Sequence, residues 1–139
     1  FWDGNGKKLA THFDRNGFAY TFNRSNGDLL VANKMYAFVN WATSIDLKTG
    51  IPQKVAKYST HEDVTTKNIC PAAIGGKNIQ PAAYSKITRL FYVPLNHLCM
   101  DYDVVEVKYV SGQPWVGAGI HMYAGPDGVT GGFMAWDGL

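Results

Sequence analysis

The sequence is short of charge, of cysteine and of long apolar runs, and each shortage removes a class of function. Asp, Glu, Lys and Arg make up 17% of its 139 residues and the formal net charge is only +2. Nothing in that balance supplies the basic stripe that nucleic acid or an anionic membrane requires. No stretch approaches the ~18 consecutive apolar residues of a membrane-spanning helix. The phosphate-cradling Gly-x-x-x-x-Gly-Lys-[Ser/Thr] loop and the Gly-x-Ser-x-Gly elbow of serine hydrolases are both missing. The two cysteines, Cys70 and Cys99, form no Cys-x-x-Cys pair. Although His97 stands near Cys99, the histidines lack the spacing of a structural zinc site. The residues leave a single disulfide or two free thiols equally open. A Cys70 nucleophile paired with His97 is a weaker reading than a structural disulfide.

What the sequence has in quantity is glycine and aromatics, with Gly 15, Tyr 8 and Phe 7 in so short a chain. That composition favours strands and tight turns over helices, and 46% apolar residues suffice for a core. Turn pairs such as Asn16-Gly17, Asn26-Gly27, Thr49-Gly50 and Asp127-Gly128 recur along it. Between them lie stretches of period two. Phe18, Tyr20 and Phe22 share one face of a strand, and Val105, Val107 and Tyr109 are expected to do the same. Residues 90–93 are apolar throughout and suggest a strand buried on both faces. Residues 9–13, the turn Asp14-Arg15-Asn16-Gly17 and residues 18–22 read as a β-hairpin. Asn23-Arg24-Ser25-Asn26-Gly27 and Asp46-Leu47-Lys48-Thr49-Gly50 share a pattern: an Asx side chain to cap the turn, and a glycine to take positive φ. Segments 51–81 and 94–103 look irregular and are expected to be loops on one face, where function usually sits.

Recurrent hairpins without helix signals point to an all-β sandwich, barrel or propeller. At about 40–50 residues per blade, the chain would hold roughly three blades of a propeller, an open arc. The opening Phe1-Trp2-Asp3-Gly4 lacks a leader pattern and the last residues, 133–139, read as a strand entering an unfinished turn. The expectation is therefore an internal segment, residues 1–139 of one propeller domain. On residue type alone Arg15 is a solvated turn arginine and Asn78 a loop amide. His12 and His121 fall in strand-like stretches and read as framework residues. Trp2, Trp41, Trp115 and Trp136 read as packing between sheets.

Several strings change those odds. Residues 11–21, from Thr11-His12-Phe13-Asp14-Arg15-Asn16-Gly17 onward, precede Val39-Asn40-Trp41-Ala42-Thr43. Then come Ile69-Cys70-Pro71-Ala72-Ala73, Asn96-His97-Leu98-Cys99-Met100-Asp101-Tyr102 and Gly112-Gln113-Pro114-Trp115-Val116. In this order the chain resembles, nearly end to end, the large subunit of pyrroloquinoline quinone-dependent methanol and alcohol dehydrogenases. Asn40-Trp41-Ala42-Thr43 and Lys57-Tyr58-Ser59-Thr60 are more similar to the lanthanide-dependent branch than to the calcium-dependent one. Asn78 stands where the lanthanide branch more often has Asp.

The resemblance implies an eight-bladed propeller with the quinone and a lanthanide or Ca2+ ion near its axis. It also implies a periplasmic homodimer oxidising primary alcohols such as methanol to aldehydes, with a cytochrome c as electron acceptor. Arg15 matches the family arginine that reaches the ortho-quinone oxygens, and Asn78 a second cofactor contact. Cys70 and Cys99 match a structural disulfide of the calcium branch. The catalytic aspartate and the metal-binding Glu, Asn and Asp come from segments before Phe1, so no catalytic or metal-binding residue is expected within 1–139. Asp14 belongs to its turn, and the chain alone is expected to be inactive. The alternative is a non-catalytic β-propeller or sandwich module that binds a protein or glycan through its loops.

Overall fold

The first hairpin sets the frame. In the computed structural model, which describes residues 1–139, β2 (Lys7–Phe13) pairs antiparallel with β3 (Phe18–Asn23), Phe13 opposite Ala19 and Leu9 opposite Asn23. Asp14-Arg15-Asn16-Gly17 makes the connection, as expected from its turn residues. On the flanks β1 (Trp2–Gly4) joins β2 and β4 (Leu29–Lys34) joins β3, giving a sheet of order β1-β2-β3-β4. An up-and-down sheet of four strands is the unit from which a propeller blade is built.

Both recurrent turns fold as their sequence predicts. The Asp46 carboxylate accepts hydrogen bonds from the Lys48 and Thr49 amides and the Thr49 hydroxyl. Asn23 Oδ1 accepts from the Ser25 amide, and Gly27 and Gly50 take φ of 82° and 72°. The Asp46 turn joins the short antiparallel pair β5 (Ala42–Ile45) and β6 (Pro52–Lys54).

Downstream, β7 (Thr66–Ile69), β8 (Ala83–Ser85), β9 (Leu90–Asn96), β10 (Leu98–Val104), β11 (Ala118–Ala124) and β12 (Gly131–Trp136) make two further sheets, β11-β10-β7 and β12-β9-β8. Only His97 separates β9 from β10, so the two continue one another through a bend, and β11 and β12 follow them antiparallel. Here the sequence-based expectation needs correction. Residues 94–103, read as irregular, are largely strand. The misleading residue is Pro94, which cannot donate to a ladder. It is tolerated because β8 pairs only with residues 90–92 of β9, leaving no neighbour on that side at position 94.

Conversely, the strand expected at 105–109 does not form. Val105 donates to the Gly117 carbonyl and Gln113 to that of Val110, but residues 105–117 join no strand ladder, leaving Tyr109 and Trp115 exposed. Trp115 therefore packs between no sheets and meets only the Tyr109 ring, at 5.7 Å. Residues 90–93 alternate in burial, with Phe91 and Val93 inward and Leu90 and Tyr92 half-buried. Residue type misled there, because Tyr92 lies beside the Phe133 ring rather than inside.

Two hydrophobic clusters hold the first sheet from both faces. Trp2, Leu9, Ala19, Met35, Phe91, Val93 and Leu95 join it to β9, and Phe18, Val39, Ala42 and Ile45 join it to β5. Successive residues Phe18 and Ala19 point to opposite faces, so β3 is buried on both. Edge-to-face contacts fix the two interfaces, Trp2 on Phe91 at 5.8 Å and Phe18 on Trp41 at 5.9 Å. Each fully buried aromatic or aliphatic side chain contributes about 1.5–3 kcal/mol.

Candidate functional site

Arg15 sits at the tip of the first hairpin, and its turn is tied on every side. Asp14 Oδ1 accepts the Asn16 amide at 2.8 Å and Asn16 Oδ1 accepts the Phe18 amide at 2.9 Å. The Trp41 indole N–H donates to the Asn16 carbonyl at 2.7 Å. Gly17 closes the turn at φ 89°. Asp14 is thus a turn residue, with its other oxygen 3.2 Å from His12 Nε2. His12 and His121 lie in strands, as their surroundings suggested, and both are exposed; His12 is hydrogen-bonded to Asp14 and the His121 ring lies 5.5 Å from that of Tyr123.

Residues 70–80 form a loop that presses on this turn. It is anchored at its start by the Cys70–Cys99 disulfide, both cysteines 2% exposed. The pairing settles the open choice between thiols and a bridge, and removes both sulfurs as nucleophile or zinc ligands. The Cys70 amide donates to Asn40 Oδ1 and the Ala72 amide to the Leu98 carbonyl. The loop then reaches Gly75-Gly76, where it meets the hairpin. A Cβ on Gly75 would lie 2.7 Å from Arg15 Cβ and 2.8 Å from Arg15 Cα, so only glycine permits this approach. The Gly76 amide donates to the Arg15 carbonyl at 2.9 Å, and Asn96 holds the other side through its amide and side chain.

This docking brings the two sequence-derived candidates together. Arg15 and Asn78 line one cleft of about 340 Å³, with His12, Asp14, Lys77 and Ile79 among its walls. Arg15 Nη2 donates to the Ala73 carbonyl at 2.6 Å, and Asn78 Nδ2 to the Ile74 carbonyl at 2.9 Å. Each donor group is thereby oriented by the adjacent residues of one loop, with N–H groups to spare: a guanidinium has five and an amide two. On its other flank Arg15 borders a more apolar hollow of about 330 Å³ formed with Trp41, Ile69, Pro71 and Ala72.

The sequence did not single out Lys77. It is 9% exposed and its ammonium donates to the Asn78 and Gln80 carbonyls. Burial holds its pKa below the ordinary lysine value. Only its place in Gly75-Gly76-Lys77-Asn78 hinted at more than a loop cation. No cluster of His, Cys, Asp or Glu is arranged to hold a metal ion.

The donor set suits a ligand with oxygen acceptors that carry or develop negative charge. Two cationic residues and an amide line the cleft, and its one carboxylate, Asp14, is committed to its own turn. A quinone bearing carboxylates fits that chemistry.

Comparison with known proteins gives the lineage. No family model matches the chain. It is 53% identical over 148 residues to the lanthanide-dependent methanol dehydrogenase of Methylorubrum extorquens, covering 99% of this chain and 25% of that protein. It is 44% identical to methanol dehydrogenase [cytochrome c] subunit 1 of the same organism, covering 91% of this chain and 20% of that one. Among solved structures, a europium-containing methanol dehydrogenase superposes with a TM-score of 0.90 at 43% identity, over 99% of this chain and 25% of its own. The chain thus spans about a quarter of the length of the curated relatives it matches. The similarity in sequence and in backbone extends over nearly the whole chain, so the all-β arc is part of a quinoprotein propeller and the chain corresponds to a stretch of the quinoprotein methanol and alcohol dehydrogenases.

Proposed function

We propose that the protein carrying these residues oxidises methanol or another primary alcohol to the aldehyde, and that Arg15 and Asn78 bind its quinone. The observation that carries the reading is the convergence of these side chains, from segments about 60 residues apart, on one cleft. When bound, pyrroloquinoline quinone supplies the acceptor for the two electrons of alcohol oxidation. The chain's own part is electrostatic. The always-protonated guanidinium of Arg15 is held by its contact with Ala73 and would stabilise negative charge developing on a quinone oxygen. The Asn78 amide offers a second N–H to the same group. Because both are fixed before any ligand arrives, little reorganisation accompanies the reaction.

The proton-accepting base is assigned to an aspartate outside these residues, since Asp14 is occupied by its turn. The lanthanide or Ca2+ ion is likewise assigned to ligands elsewhere in the parent, as are the cytochrome c docking surface, the dimer contact and the periplasmic address. Residues 1–139 act as one part of a single propeller domain.

The test is Arg15→Ala in the full-length protein. Removing one such donor lowers turnover about 100- to 1,000-fold, read as dye-linked alcohol oxidation, with the melting temperature retained. Undiminished oxidation by a folded Arg15→Ala protein removes the arginine from the mechanism.

A further inference from the structure

Lys77 is out of keeping with its surroundings. Lysine is almost never fully buried unless paired, yet Lys77 is 9% exposed and belongs to none of the chain's three ion pairs, which are His12–Asp14, Arg24–Asp3 and His97–Asp127. Its ammonium donates to the carbonyls of Asn78 and Gln80. Of its three N–H groups that leaves one unspent. The two accepting carbonyls belong to the next residue and to the third one on, so the side chain curls over its own backbone and locks the turn that carries Asn78. Asn78 is gripped from the other side by the Ile74 carbonyl. The cleft in front of that turn contains a second cation, Arg15, and a single carboxylate already engaged with the Asn16 amide. A turn could be fixed without charge, and a buried cation lacking a counter-ion is normally selected against.

We propose that Lys77 is a positioning residue for the quinone: its ammonium locks the Asn78–Gln80 turn against the cleft and supplies positive charge that an oxygen-rich anionic ligand neutralises on binding. This rests on the quinone reading above. Lys77 would then favour the bound cofactor at the expense of the empty protein. That exchange separates it from a purely structural lysine. A structural lysine stabilises the apoprotein; a charge kept for a ligand burdens it, and an apolar replacement relieves the burden.

The experiment uses full-length apoprotein, metal-loaded, titrated with pyrroloquinoline quinone and followed by the absorbance of the bound quinone. Melting of the quinone-free form is measured alongside. Lys77→Met is expected to weaken quinone binding fivefold or more while the apoprotein melts at the wild-type temperature or above. Lys77→Gln removes the charge but keeps an amide donor for the turn; it should behave the same way and carries the test where the Met variant does not fold. A loss of affinity smaller than fivefold overturns the proposal. So does a larger loss accompanied by a drop in apoprotein melting, which marks Lys77 as a structural pin alone. Arg15→Ala is titrated in parallel. If it too leaves quinone binding intact, the quinone reading of the cleft fails; if it weakens binding while the Lys77 variants do not, only the Lys77 assignment fails.

Discussion

Gly75→Ala offers the sharpest measure of how the two site segments depend on each other. Gly75 has φ 84°, and an added Cβ would meet Arg15 Cβ at 2.7 Å with the Arg15 Cα and carbonyl oxygen each at 2.8 Å. Two costs follow. The left-handed conformation costs an alanine about 1 kcal/mol. The clash falls mostly on backbone, which cannot rotate away, so the loop must lift off the turn at about 1–3 kcal/mol. Gly27 isolates the first cost: its φ is 82° and nothing lies within 4 Å of the added carbon. In equilibrium unfolding of the full-length protein, Gly27→Ala should lose about 1 kcal/mol, and Gly75→Ala about 2–4 kcal/mol. The excess should also reach activity, since lifting the loop breaks the 2.9 Å bond from the Gly76 amide to the Arg15 carbonyl and takes Ala73 away from the guanidinium. Alcohol oxidation should fall in Gly75→Ala and hold in Gly27→Ala. Equal destabilisation by the two variants, within half a kcal/mol or so, would refute the close docking of loop on turn.

The other expectations are briefer. Reducing Cys70–Cys99, or replacing both by Ser, should cost about 3.5 kcal/mol for a loop of 29 residues, read as a lower urea midpoint with and without thiol. Trp41→Phe removes the 2.7 Å hydrogen bond to the Asn16 carbonyl and should cost about 1–2 kcal/mol while loosening the Arg15 turn; an unchanged midpoint would show that bond to be idle. Hydrogen bonds from the Thr49 amide and hydroxyl hold the Asp46 carboxyl below its ordinary value of 3.8, and the Asn68 amide with Tyr123 does the same for Asp101. A depressed carboxyl adds stability that is complete above the unfolded value and lost as pH falls toward the folded one. Stability should therefore drop below about pH 4, and Asp46→Asn with Asp101→Asn should flatten that slope.

Local chemistry was legible in the sequence, and contacts between distant segments were not. The hairpin of β2 and β3 and both Asx-capped turns declare themselves because the residues that decide them are neighbours: Asp46 satisfies amides two and three positions on. The run 94–103 was misjudged because Pro94 sounds a local stop, and its tolerance depends on where β8 ends. The period-two pattern at 105–109 failed for the opposite reason, since alternation signals a strand only where a partner is present to pair with it. At the site, Arg15 and Asn78 came from the resemblance; on residue type they were a turn arginine and a loop amide. Lys77 remained unread because its significance is burial, which no run of neighbouring residues reveals.

The same distinction explains why the site is built where it is. A guanidinium serves charge development only if it stays put, and an exposed hairpin tip is ordinarily the least fixed part of a sheet. Here the tip is fixed from outside the hairpin: Trp41 holds the Asn16 carbonyl, Gly76 the Arg15 carbonyl, and Ala73 receives the guanidinium. All three lie 25 or more positions away in sequence, and the last two are on a loop whose entry is tied by a disulfide. The bridge thus does more than stabilise the fold. By fixing Cys70 it sets the start of the segment that must reach Arg15 by Gly75 and turn back with Asn78 toward the same cleft. Stability and cleft geometry are therefore coupled through residues 70–80, and damage at Cys70 or Gly75 should reach the cleft before it reaches the outer sheets.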